Sequence, residues 1–280
     1  MTRHQTSPGS EVTVLGGGGF IGSHLVRYLQ QHGQPCHAPQ KGDEAVFSRP
    51  LGHVIYAIGL TADFRSRPYD TVEAHVCFLR RLLQQADFES LTYLSSTRLY
   101  SGVSDTTESA TLQVNPNDVG DLYNLSKLMG ESLCLHGGRQ NMKIVRLSNV
   151  VGIRPDPDIF IEQLLEEGQR TGKVLFRTSL ESKKDFLHID DAVTLMHRIA
   201  CSPHNGIFNV ASGEGVTNRE IASALQAQMG YDVSVAADAP VWDFTEINIS
   251  KVKHLFGFAP KRFSEYFPEY LRSYRHIKGI

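Results

Sequence analysis

Tyr123 and Lys127 stand four residues apart in a segment that reads DLYNLSKLMGESLCL from Asp121. If that segment is a helix, both side chains face the same way, so an ammonium lies beside a phenol. An ammonium there favours the phenolate, and a phenol made more acidic can exchange a proton with a substrate oxygen near neutral pH. The pair alone also fits an exposed Tyr and Lys on a solvated helix face. A second group of candidates is the hydroxyls of Ser95, Ser96 and Thr97, where the apolar run from Leu91 ends. Hydroxyls at a strand end are well placed for chemistry.

These residues need elements to hold them. Val12 to Leu15 is a run of β-branched and apolar residues, as a strand buried on both faces requires. Gly16, Gly19 and Gly22 follow with two residues between each pair. One glycine permits a tight turn, the next lets the backbone approach a pyrophosphate, and the third lets a new helix pack on the sheet. Phe20, Ile21, Leu25, Val26 and Leu29 then recur at helical intervals, predicting a helix that ends near Gly33. Its N-terminus favours a bound phosphate. Strand, turn and helix together point to dinucleotide binding through Gly16, Gly19, Phe20, Ile21 and Gly22.

Further along, His53 to Ile58 reads as a buried strand ended by Gly59, and Ile58 and Gly59 are expected beside the cofactor. The loop from Leu60 to Pro68 carries Asp63, Arg65 and Arg67; the arginines are either substrate contacts or solvated charges. Tyr69 to Ala86 has a helical apolar face, and the loop from Ser101 to Gly120 is long enough to form an active-site wall. Pro35 to Ala38 could be the second strand. Where such a strand usually offers an acid to the adenosine ribose, this chain has Ala38, Pro39, Gln40 and then Lys41. The basic choice leans towards a 2′-phosphate and hence NADP. Asp43 and Glu44 either reach back or cap a loop, and Lys41 to Gly52 is too short for a full helix, strand and helix.

Composition narrows the class of partner. The 280 residues carry a net charge of −2 and are 41% hydrophobic, enough for a packed core and unsuited to a polyanion-binding surface. We expect a small-molecule partner, no nucleic acid and no membrane. Cys36, Cys77, Cys134 and Cys201 are far apart and lack paired metal-ligand spacing, which indicates reduced thiols, no metal site and a cytoplasmic location. Residues 1–10 are polar and read as a disordered tail.

The glycine turn, the strand-end serine and the YxxxK pair together resemble the extended short-chain dehydrogenase/reductase family, the NAD-dependent epimerase/dehydratase group that mostly works on nucleotide-linked sugars. GGGGFIGSHL resembles its glycine signature, YLSSTRLYS its serine segment and YNLSK its tyrosine and lysine. RLSNVVG at Arg146, KDFLHIDDAV at Lys184 and FNVASGEGVTNREIA at Phe208 complete a series that covers nearly the whole chain. The resemblance implies that Tyr123 is the acid/base, that Lys127 holds the nicotinamide ribose and makes the tyrosine more acidic, and that Ser96 hydrogen-bonds the reacting oxygen. It also implies a homodimer through the helices holding Val76 and Lys127. Asn149 sits where the family contacts its nucleotide-linked substrate, and Lys184 where it usually has a phosphate-binding arginine. Thr97, Arg154, Arg177 and Lys183 are further substrate-side candidates.

The departures narrow the expectation. Family dehydratases carry an Asp-Glu pair where this chain has Thr97 and Arg98, so no 4,6-dehydratase is expected. The helix that often begins Asn-Val has His75-Val76, a histidine more often structural than catalytic at such a place. The late arginine that holds a diphosphate is replaced in a stretch reading Pro240, Val241 and Trp242.

The expected architecture is an α/β, doubly wound parallel sheet of Rossmann type with a smaller split C-terminal substrate lobe. Residues 11–149 and 183–210 are assigned to the dinucleotide-binding domain, and 150–182 and 211–280 to the lobe. In the lobe we expect a helix over Pro157 to Arg170, a short strand at Val174 to Phe176, a helix opened by the capping box Thr217–Glu220, and two last helices. The function expected is hydride transfer between NAD or NADP and a nucleotide-linked sugar, by an epimerase or a reductase. The alternative from another class is a dinucleotide-binding regulator or scaffold without turnover.

Overall fold

The computed structural model describes residues 10–61, 63–153 and 160–279. Most of the expected N-terminal tail, Arg154 and the first residues of the helix expected from Pro157 lie outside them. The chain divides into two compact units. The first takes the described residues up to Ser96, Val114–Arg146 and Val193–Phe208. The second takes those of Thr97–Gln113, Leu147–Ala192 and Asn209 onward.

The apolar run Val12–Leu15 forms β1, fully buried as a central strand must be, and the glycine turn leads into α1 (Phe20–Gln31). The second strand is only the pair Cys36–His37 (β2), followed by a single 3-10 turn at Glu44–Phe47 before β3 (His53–Tyr56). Asp43 caps that turn by accepting from the Ala45 amide at 2.9 Å, and Glu44 pairs with Arg81, so both acids are committed away from the strand end. β4 (Ser90–Ser96) and β5 (Met142–Leu147) continue the sheet, and β9 (Gly206–Val210) completes the order β2-β1-β3-β4-β5-β9. β2, β1, β3 and β4 pair in parallel. The strand order reverses at β1, so a crevice is expected at the carboxyl ends of β1 and β3, where Gly16 and Gly59 lie.

One expected helix is interrupted. Pro68–Val72 (α2) and Phe78–Gln85 (α3) are α-helical, but Glu73–Cys77 between them is a π-turn. Its cause lies in the sheet beneath. The Tyr56 hydroxyl donates to the Ala74 carbonyl at 2.6 Å, and the Tyr93 hydroxyl donates to the His75 carbonyl at 3.2 Å. Two carbonyls that an α-turn would use are thereby taken by β3 and β4, and the Phe78 amide bonds the Glu73 carbonyl five residues back. A single π-turn adds one residue to the turn, too small a shift in the apolar pattern of so short a segment to reveal it from sequence.

The helix holding Tyr123 and Lys127 runs over Asp121–His136 (α4). The second unit has its own core. β6 (Asn149–Val151) pairs in parallel with β8 (Lys183–His188), which pairs antiparallel with β10 (Gly215–Thr217). β7 (Lys173–Phe176) pairs in parallel with β11 (Asp232–Val235). Leu164 and Leu165 of α5 (Phe160–Thr171) pack with Ile221 and Leu225 of α7 (Asn218–Met229) and with Phe267 and Leu271 of α9 (Phe263–Lys278). The capping box is present: the Thr217 hydroxyl accepts from the Glu220 amide at 3.2 Å, and the Thr217 amide donates to the Glu220 carboxylate at 2.8 Å. α6 (Ile189–Ala200) links β8 to β9, and α8 (Ser250–Phe256) precedes α9.

Candidate active site

The glycine turn is demanded by its surroundings. Gly16 has φ +88°, and a Cβ there would lie 2.9 Å from the backbone of Ala57 after β3. At Gly22 a Cβ would come within 2.1 Å of the Gly16 carbonyl oxygen, a clash that no side-chain movement relieves. Gly18 is different: a Cβ there meets nothing within 4 Å. The N-cap of α1 is Gly19, so no side chain covers the helix start, and Gly18 and Gly19 are exposed. Tight where strand, turn and helix cross and open in front, this cradle suits the pyrophosphate of a dinucleotide. Phe20 and Ile21 follow it half-buried, and Ile58 and Gly59 follow β3. Lys41 is exposed in the turn after β2.

Tyr123 and Lys127 do not lie on a solvated face. Tyr123 is 6% exposed and Lys127 4%. Lys127 Nζ donates to the carbonyl oxygen of Leu94 at 2.8 Å and sits 5.9 Å from the centre of the Tyr123 ring and 5.1 Å from that of Tyr93. Burial pushes the Lys127 ammonium down to about 7, and the Glu131 carboxylate one turn on opposes that shift. Glu131 is itself gripped by both arms of Arg146, at 3.0 and 2.8 Å, with the two side chains 4% exposed. Ser96, half-buried, ends the same β4 to whose Leu94 the lysine is tied. The first unit therefore brings a phenol, a lysine that can gain or lose its proton near neutral pH, and a strand-end hydroxyl onto adjoining elements.

Around the phenol, the Phe64 ring lies 5.4 Å from the Tyr123 ring and the His75 ring meets it edge-on at 5.4 Å. His75 is fully buried, and burial pushes its imidazole down to about 2, so it is neutral. Of the loop arginines, Arg67 pairs with Asp70 at 2.8 Å and Arg65 lies over the Phe64 ring at 4.4 Å.

The second unit holds the remaining candidates. Lys184 and Arg177 line one cavity of about 470 Å³, walled by Phe160, Leu164, Leu175 and Trp242. Lys184 Nζ lies 4.5 Å from the Phe160 ring centre and 5.4 Å from that of Trp242. Burial first, and Arg98 second, push its ammonium below the usual lysine range. Asn149 is exposed and donates to the carbonyl of Asp185 at 2.8 Å, beside Lys184 in sequence. Thr97 is buried at the start of a 3-10 turn, and Lys183 is exposed with its amide bonded to the Trp242 carbonyl at 2.8 Å. Phe160 and Trp242 were not singled out as contacts from the sequence; Phe160 belongs to the apolar periodicity of its helix, which does not mark it as a ligand contact, and a single tryptophan carries no motif signal.

The sequence pattern of the NAD dependent epimerase/dehydratase family matches residues 12–211. The chain belongs to that family. Among curated proteins, it is 25% identical over 186 residues to the dTDP-4-dehydro-6-deoxyglucose reductase of Escherichia coli, covering 61% of this chain and 55% of that one. It is 24% identical over 288 residues to UDP-glucuronic acid decarboxylase 6 of Arabidopsis thaliana, covering 89% and 84%. The chain spans about half the length of the first curated relatives it matches, 47% and 55%. Its fold is that of MoeE5, solved in complex with UDP-glucose and NAD, at a TM-score of 0.80 and 20% identity over 95% of this chain and 99% of that one.

Proposed function

We propose that this epimerase/dehydratase-family chain is an NAD(P)-dependent enzyme that oxidises or reduces a carbon of a nucleotide-linked sugar, as an epimerase or ketoreductase and not a 4,6-dehydratase. The observation that carries the reading is the buried Tyr123–Lys127 pair, with the lysine pinned to Leu94 and its ammonium near pH 7. Gly16, Gly19 and Gly22 would hold the pyrophosphate of a bound NAD(P), with Ile58 and Gly59 beside it, and the cofactor would supply or accept the hydride. Tyr123 gives its phenolic proton to the sugar oxygen when the carbonyl is reduced and takes one back when the hydroxyl is oxidised. Lys127 in its charged form stabilises the phenolate left behind, and Ser96 Oγ hydrogen-bonds the reacting oxygen.

The second unit is assigned the nucleotide-linked part of the substrate, through Lys184 and Arg177 of its cavity together with Asn149 and Thr97. Thr97 and Arg98 support the exclusion of 4,6-dehydration, because neither is the acid that removal of water from the sugar needs. A homodimer is proposed through the helices holding Val76 and Lys127, and Leu125 and Met129 are exposed on the latter.

A cofactor-binding protein without turnover is the second reading. The single 3-10 turn between β2 and β3 favours it, because little structure remains there for the adenosine end. Two measurements separate the readings: dinucleotide released from the denatured protein is assayed in the supernatant, and the native protein is assayed for turnover of nucleotide-linked sugars, bound dinucleotide without turnover supporting the second reading. Retained NAD supports an epimerase, loosely exchanging NADPH supports a reductase, and absence of any dinucleotide binding by the native protein overturns the proposal.

A further inference from the structure

His75 lies in the π-turn, fully buried, and every polar atom of its ring is engaged within the first unit. Its Nε2 accepts the Leu60 amide proton at 3.3 Å. Its Nδ1 lies 2.8 Å from Ser126 Oγ, whose own proton goes to the Tyr123 carbonyl at 2.8 Å. Because Nε2 accepts and Ser126 already donates elsewhere, the imidazole carries its proton on Nδ1 and donates it to Ser126. The ring thus joins the backbone after β3 to the helix turn that bears the phenol. Its edge also rests against the Tyr123 ring, 85° from coplanar.

The backbone held by Nε2 covers the lysine. A Cβ on Gly59 would lie 3.0 Å from His75 Nε2 and 3.4 Å from Lys127 Nζ, so ring and ammonium both pack against the same glycine. The groups around that ammonium are Glu131 and Tyr123 on its own helix, Tyr93 and the Leu94 carbonyl on β4, and His75 on the π-turn. We propose that His75 is a positioning residue: by accepting the Leu60 amide it keeps the Gly59–Leu60 backbone closed over Lys127, and through Ser126 it fixes the Tyr123 turn against that same backbone. The proposal rests on reading Lys127 as the working cation of the pair. A histidine that merely filled space would hold neither element by name, and any ring of its size would replace it.

The side chains that can replace each half of the imidazole differ. Glutamine places a carbonyl near the Nε2 position, where it can accept from Leu60; asparagine places its amide near Nδ1 and cannot reach Leu60; phenylalanine keeps the ring and neither bond. The test is the titration of Lys127, followed by NMR of protein labelled at the lysine ε-carbon and assigned with Lys127→Met. In His75→Phe, opening of the cover hydrates the ammonium, and the Lys127 midpoint is expected to rise by about one pH unit or more. His75→Asn is expected to show the same rise, and His75→Gln to stay within about 0.3 unit of the native protein. Thermal melting run alongside separates loss of fold from loss of cover. An unchanged midpoint in folded His75→Phe, or equal midpoints in the Asn and Gln variants, overturns the proposal. Binding of NADH and of NADPH by the native protein is measured separately, and failure of both would remove the proposed function while leaving the titration result standing.

Discussion

Lys127 on α4 is bonded through Nζ to the Leu94 carbonyl on β4, two residues before Ser96, so the cation of the helix and the hydroxyl of the strand end share one anchor. That bond gives the ammonium a fixed place at the cost of most of its solvation. Its chemistry follows from that exchange.

The phenol is tested first. Tyr123→Phe keeps the ring packed against Phe64 and His75, so fold and dinucleotide affinity are expected to persist while turnover falls by about two to four orders of magnitude. Steady-state kinetics with calorimetric binding checks both. Unchanged turnover would remove Tyr123 from the acid/base role.

The lysine imposes a signature on stability. Below about pH 7 the ammonium is charged in the folded and the unfolded chain, and folding bears the whole desolvation cost. Between about 7 and the ordinary lysine range, the unfolded chain keeps a proton that the folded one has released, so stability rises with pH across that window. Lys127→Met has no such titration. The stability of the native protein relative to this variant should therefore climb as pH is raised from about 7 to about 9, by at most about 1.4 kcal/mol per pH unit. A flat difference in denaturant melts over that range would contradict the buried titration.

The cradle is tested by two alanines. Gly22→Ala puts a Cβ into the Gly16 carbonyl and is expected to cost about 1–3 kcal/mol and to weaken dinucleotide binding, whereas Gly18→Ala points into open space and should leave the melt unchanged. Equal melting temperatures for the two would show that the crossing is looser than its geometry.

On the second unit, Trp242 is the only tryptophan of the chain, and it lines the cavity that holds Lys184. Uridine diphosphate is expected to quench its fluorescence. Lys184→Ala should raise the Michaelis constant for a phosphate-bearing sugar and leave cofactor affinity alone, and added salt should weaken binding in the native protein because the contact is a point charge. If Lys184→Ala bound such a ligand as well as the native chain, the nucleotide-sugar assignment would fall.

Cofactor choice turns on Lys41. With no acid at the end of β2, Lys41→Ala is expected to weaken NADPH more than NADH, read from fluorescence titrations of each. A native preference for NADH, or equal losses on both, would exclude a 2′-phosphate contact.

Much of this was legible in the residues, for reasons that differ between positions. The β1 run, the three spaced glycines and the capping box at Thr217 are local signals, set by burial on both faces, by close backbone approach and by a side chain bonding its own helix start. The four-residue spacing of Tyr123 and Lys127 placed them on one face, but not whether that face was wet. Their burial depends on strands far away in sequence, and only the structure shows it. The π-turn escaped because its cause is two tyrosine hydroxyls from β3 and β4. His75 could be flagged as a departure from its family, while its two ring hydrogen bonds depended on Leu60 and Ser126, which no spacing links to it. Asp43 and Glu44 were left between two roles, and a cap and an ion pair decide them.

The unit that contains Tyr123 and Lys127 is assembled from interleaved stretches, and its last one, Val193–Phe208, leads into the strand that flanks β5. A ribosome delivers the phenol and its lysine well before that strand exists. Until it arrives, the nascent chain presents β5 as a bare sheet edge, the kind of surface that pairs with the wrong neighbour. Translation of the residues between β5 and β9 thus sets a waiting time during which that edge stays unpaired, and slow codons placed just upstream of Val193 would lengthen that exposure.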